Sequence, residues 1–90
     1  MRYIAEGDEA NAVALGNLGF AYFSLDMLDE AEQYFRDALE LNETAGSLIA
    51  VGSDLRDLGE VLRLKGDDGK AGEYMRRALK IAQDTKDKAA

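Results

Sequence analysis

Laid on itself at an offset of 40 residues, the chain pairs Leu15 with Leu55, Leu18 with Leu58, Gly19 with Gly59, Ala31 with Ala71, Tyr34 with Tyr74, Arg36 with Arg76, Ala38 with Ala78 and Leu39 with Leu79. The stretch from Leu15 to Leu41 therefore returns from Leu55 to Ile81. A period of this size marks stacked supersecondary units, each too small to bury its own apolar face and each completed by its neighbour. The repeat constrains the fold more tightly than any single motif. Whatever one unit forms, the chain forms twice.

Each unit reads as two helices. Leu15, Leu18, Tyr22 and Leu25 recur at the spacing of one helix face, which predicts a first helix from an N-cap at Asp8 to about Leu25 with that stripe buried. Residues 26 to 29 make a short turn, and Asp29 with Glu32 fits a capping box for a second helix ending near Asn42, with Ala31, Tyr34, Phe35, Ala38, Leu39 and Leu41 inward. A turn this short leaves only an antiparallel pair. Gly19 and Ala31 are small where the two helices must approach. Asn42-Glu43-Thr44 fits the glycosylation sequon, but its expected work is to end one helix and, through Thr44 or Ser47, to cap a third that continues to Lys65. Gly66 suits the left-handed position after that helix. Asp67 or Asp68 caps a fourth, expected to turn Ala71, Tyr74, Met75, Ala78, Leu79 and Ala82 inward. Tyr3 and Ile4 are expected to dock on the first helix or to belong to a preceding one.

Composition narrows the chemistry. With 47% hydrophobic residues, 32% charged and no proline, the chain is globular and helical rather than disordered. It has no cysteine and no histidine, which removes thiolate and imidazole nucleophiles and the usual zinc and copper sites. The adjacent carboxylates Asp29–Glu30 and Asp67–Asp68 sit at helix starts, where capping accounts for them. The GDDG tetrad lacks the alternating ligands of a calcium loop. No catalytic residues, no cofactor and no metal are expected, and the chain is read as not an enzyme. The net charge of −7 is uneven: residues 1–45 carry ten acidic groups and two arginines, a net −8, while residues 46–90 carry nine basic and eight acidic groups, a net +1. Neither half offers the basic surface that nucleic acid requires. No apolar run approaches the ~18 residues of a membrane span, and the start MRYIAEGDEANA lacks the apolar core of a secretory signal. A cytoplasmic protein is expected.

Within the first unit, Leu15, Leu18, Gly19 and Tyr22 follow the W-x2-L-G-x2-Y pattern of a tetratricopeptide repeat, with Leu in place of Trp, and Ala31, Phe35 and Ala38 supply the pattern of its second helix. In the second unit Leu55, Leu58, Gly59, Ala71 and Ala78 keep the pattern, with Leu62 for the Tyr and Met75 for the Phe. The chain thus resembles the tetratricopeptide repeat family over about residues 12–85. The closing proline is absent, so the helices are expected to run on, and the period of 40 rather than 34 is similar to the longer-repeat branch typified by kinesin light chain. The resemblance implies an all-α fold of two helix-turn-helix units, four antiparallel helices in a superhelical stack. It implies one domain over residues 1–90, with repeat 1 at about 12–45, repeat 2 at about 52–85, and residues 1–11 as an N-terminal extension.

The family's role, as the resemblance implies it, is recognition of a protein partner on the concave face lined by the first helix of each unit. The periodicity reaches the same surface. Gly16, Phe20 and Phe23 form a second stripe on the first helix, and Arg56, Glu60 and Arg63 are their equivalents on the third. Together with Asn17 these are the expected contacts: an aromatic stripe beside a charged one, suited to a peptide or helix with an apolar anchor and mixed-charge flanks. Asn17 stands where clamp-type members place a carboxylate-binding asparagine, but its counterpart Asp57 would repel a carboxylate, so binding of an acidic chaperone tail is rejected. The alternative is a structural role: a stacking unit of a longer array, or a homo-oligomer formed through exposed repeat ends, with Phe35, Leu39 and the apolar side of the fourth helix as the expected contacts and with Phe20 and Phe23 covered by the N-terminal segment or by another copy.

Overall fold

The structure is a computed structural model that describes the backbone of residues 6–89 and the side chains of residues 10–86. Tyr3 and Ile4, and any docking by them, lie outside the described residues. Four helices follow in order: α1 (Glu6–Ser24), α2 (Leu28–Ala45), α3 (Leu48–Leu64) and α4 (Asp68–Ala89). Each packs on its neighbour in sequence, so α1–α2 and α3–α4 form two helical hairpins joined through α2 and α3. This is the all-α pair of helix-turn-helix units that the repeat predicts.

The core lies where α2 and α3 meet. Ala31, Phe35, Ala38 and Leu39 of α2 face Val51, Leu55, Leu58 and Val61 of α3, and all are buried. Phe35, Leu55, Leu58 and Val61 are the largest fully enclosed side chains, each contributing about 1.5–3 kcal/mol of burial. Hairpin packing depends on two glycines. A Cβ on Gly19 would sit 2.7 Å from the Phe35 ring, and one on Gly59 would sit 2.6 Å from Met75 Cγ and 3.2 Å from the Ala71 carbonyl oxygen. The two positions are 40 apart and do the same work.

The turns repeat as well. Met27 N–H donates to Tyr22 O at 2.9 Å in the first hairpin, and Asp67 N–H to Leu62 O at 2.8 Å in the second. The left-handed residue between them is Gly66 (φ 89°) in the second turn and Asp26 (φ 61°) in the first. The expected Asp67 cap is present, its Oδ1 accepting Lys70 N–H at 3.2 Å.

Several expectations are corrected. Helix α1 is already formed at Glu6, so Asp8 is internal to it and is not its cap. Met27, not Asp29, occupies the N-cap of α2, and no side chain caps that end. Glu32 reaches away from the helix start, because Lys65 at the end of α3 bonds both Asp29 (2.6 Å) and Glu32 (2.8 Å). Asn42 does not end α2, which continues to Ala45 and stops at Gly46 in the left-handed conformation. Ser47 holds the N-cap position of α3 without a side-chain bond. The buried stripe expected on α1 is displaced: Ala12 and Gly19 are buried, Leu15 and Tyr22 are half-buried, and Leu18 and Leu25 are exposed. On α4, Ala71 is buried as expected, but Leu79 is 58% exposed and Ala82 is exposed. The cause is shared. Among the described residues, α1 and α4 each pack closely on one neighbour, whereas α2 and α3 each pack on two.

Candidate functional site

Helices α1 and α3 form the walls of a groove, and α2 lies beneath. At one end, Phe20 and Phe23 of α1 face Asp57 and Glu60 of α3 across a hollow of about 140 Å³, with the buried Phe35 ring at its base. A second hollow of about 340 Å³ continues along the groove, where Gly16, Asn17 and Phe20 oppose Ser53, Asp54 and Asp57 over Asn42. The helical period explains the alignment. Positions 16, 20 and 23 share a face of α1, as 53, 57 and 60 share a face of α3.

The Phe20 and Phe23 rings stack with centroids 6.4 Å apart and an interplanar angle of 22°. Phe23 is half-buried against the core, while Phe20 remains 64% exposed. An aromatic ring this open, supported from behind by another, is a ready apolar contact surface.

The groove is also acidic. Asn42 Nδ2 donates to Asp54 Oδ2 at 2.6 Å, a buried polar pair between α2 and α3. Burial pushes the Asp54 carboxyl up to about 6; the bond from Asn42 acts against that rise, and the charge of Asp57 adds to it. Burial likewise raises Asp57, with Arg56 offsetting part of the effect. Glu60 is held low, first by its hydrogen bond from Arg63, and pairs with that arginine along α3. Asp54 and Asp57 therefore present partly desolvated carboxyl groups to the groove.

Of the six residues expected from sequence, Asn17, Phe20, Phe23 and Glu60 line this groove. Arg63 does not line it and pairs with Glu60 along α3. Arg56 is placed elsewhere: it lines a separate groove between α3 and α4 with Met75 and Leu79. The reason is rotational. Arg56 is three residues past Ser53 and one short of Asp57, and the groove wall runs through Ser53, Asp57 and Glu60. Sequence reasoning named Asp57 as the counterpart of Asn17 without counting it among the contacts, and left out Asp54. For Asp57 a signal existed, since it lies 40 positions after Asn17; for Asp54 the signal was a carboxylate on the buried side of an otherwise apolar stripe.

No helix of the described residues is long and apolar enough to cross a membrane. Comparison with curated proteins and with solved structures gives no match. A family model described as tetratricopeptide repeat matches residues 9–84, nearly the whole chain. The chain belongs to the tetratricopeptide repeat family, whose members generally mediate protein–protein interaction and typically act as scaffolds rather than enzymes.

Proposed function

We propose that the protein binds a short segment of a protein partner in the groove between α1 and α3, and that the segment carries an apolar anchor beside basic residues. The observation that carries this reading is the stacked Phe20–Phe23 pair set opposite Asp57 and Glu60. An apolar side chain laid on Phe20 removes exposed aromatic surface from water. An arginine or lysine there gains the ring face and the carboxylates together. It also offsets the repulsion between Asp54 and Asp57, which Asn42 and Arg56 relieve only in part. Acidic segments meet like charge and are disfavoured.

The test is fluorescence polarisation with a panel of labelled peptides that differ in anchor and in charge. Basic peptides with an aromatic or aliphatic anchor should bind more tightly than acidic ones of the same length. Phe20→Ala with Phe23→Ala should weaken that binding by about tenfold or more. Asp57→Asn should reduce the preference for basic over acidic peptides. Because Asp54 ionises near pH 6, affinity for basic peptides should rise from pH 5 to pH 7.5. Equal binding of acidic and basic peptides, or indifference to the double substitution, would refute the assignment.

A further inference from the structure

Shifted by one period, the joint between the two repeats describes a second joint whose halves lie at opposite ends of this chain. At the internal joint, α3 lays one face on α2, and within that face Leu58 and Val61 are completely buried. The residues 40 positions earlier on α1 are Leu18 and Ala21, and both are exposed. They belong to a stripe of Ala10, Ala14, Leu18, Ala21 and Leu25, all exposed, spaced as one helix face. The other half of the joint behaves the same way. Leu39 is 7% exposed, and its equivalent Leu79 is 58% exposed. Leu79 lines a groove of about 400 Å³ between α3 and α4, with Ile49, Met75 and Ala82.

We infer that a second copy of this chain docks head-to-tail, its α1 stripe seated in the α3–α4 groove, in the register that one further period of 40 residues dictates. That register makes specific pairs. Internally, Arg36 Nη1 donates to Tyr74 OH at 2.8 Å and the guanidinium lies 5.7 Å from the ring centroid. One period on, Arg76 meets Tyr34 of the second copy, and both residues are the same types as in the internal pair. Lys65, which holds Asp29 and Glu32 internally, is replaced by Leu25 over Gly69 and Gly72. The buried Asn42–Asp54 pair is replaced by Ala82 and Ala14. At these positions the external joint carries no carboxylate, while Asn11 takes the place of the buried Val51.

Charge disfavours the head-to-head arrangement. Head-to-tail contact sets the half carrying −8 against the half carrying +1, whereas a head-to-head pair sets −8 against −8. Such a contact joins different surfaces of identical chains, so each end of a pair keeps a free half-joint and the stack propagates unless its rotation closes a ring. The α1–α3 groove remains open in this stack, which makes the proposal independent of peptide binding.

The test is sedimentation equilibrium of the 90-residue chain from about 1 μM to about 1 mM, with circular dichroism on the same samples. The average mass should climb steadily past that of a dimer. Leu79→Glu blocks one half of the joint and Leu18→Glu the other, so each variant alone should be a helical monomer. A mixture of the two retains one intact joint and should give a heterodimer that grows no further, which non-specific clustering cannot reproduce. Arg76→Ala, a milder change, should weaken association by about tenfold. A wild-type chain that stays monomeric throughout, a wild type that stops at a symmetric dimer, or a mixture of helical variants that fails to pair would each overturn the proposal. Peptide binding by Leu79→Glu should equal that of the wild type, so that failure of stacking and failure of the groove reading are read separately.

Discussion

Three glycines of α1 and α3 show how much a single hydrogen atom in place of a methyl group decides. Gly19 faces the Phe35 ring, which is 2% exposed and cannot retreat, so Gly19→Ala should cost about 1–3 kcal/mol. Gly59→Ala should also destabilise, since the Ala71 carbonyl oxygen stands 3.2 Å away and only the Met75 chain can yield. Gly16, with nothing within 4 Å, gives the opposite sign: Gly16→Ala should stabilise by about 0.5–1 kcal/mol through helix propensity. Urea unfolding of the three variants checks the order. Asp54 supplies the pH dependence. Its folded value of about 6 exceeds the ordinary aspartate value of 3.8, so the folded state binds this proton more tightly than the unfolded one. That contribution is fully present below the unfolded value and is lost as pH rises through about 6. Asp57 acts in the same direction, and Glu32, whose value is lowered, acts in the opposite one. Asp54→Asn keeps an acceptor for Asn42. It should raise the urea midpoint at pH 7.5 by more than at pH 5, flattening the profile between them.

At the scale of the element, the two hairpin turns are one design with one unequal residue. Gly66 adopts φ 89° without a side chain to clash, while Asp26 adopts φ 61° with one. A left-handed L-residue costs roughly 1 kcal/mol, somewhat less for Asp. Asp26→Gly should therefore raise the thermal midpoint by a few degrees, with helical content unchanged by circular dichroism. The clasp of Lys65 on Asp29 and Glu32 joins the end of α3 to the first turn of α2, and the two carboxylates raise the lysine pKa. It also explains why a capping box legible in the sequence does not form. Glu32 has a better partner in a helix that sequence reasoning about α2 alone never meets.

Across the whole molecule, equivalent residues are not equally buried. Leu58 is fully enclosed and Leu18 is 43% exposed, although the repeat treats them alike. Leu58→Ala should cost about 2–5 kcal/mol. Leu18→Ala should cost about 1 kcal/mol or less in the monomer, and the gap should narrow under conditions where copies associate. Chemical denaturation at low and high protein concentration measures both. The Asn42–Asp54 pair marks the same inequality in polar form, since the repeat equivalents are Ala82, 40 positions after Asn42, and Ala14, 40 positions before Asp54.

Much of the architecture was legible in residues alone. The period predicts two like hairpins, Gly66 predicts the left-handed stop, Asp67 predicts a cap, and Gly19 predicts the close approach of α1 to α2; all four depend on contacts within a hairpin. Phe20 and Phe23 could be placed on one face of α1 for the same reason. Tertiary structure alone decided that Leu18, Leu25 and Leu79 stand exposed, that Arg56 turns to the α3–α4 groove, and that Asp54 shares a buried bond with Asn42. Helical periodicity is unchanged by a shift of one repeat, but burial depends on what lies on both sides of a helix. Among the described residues, only α2 and α3 pack closely on two neighbours.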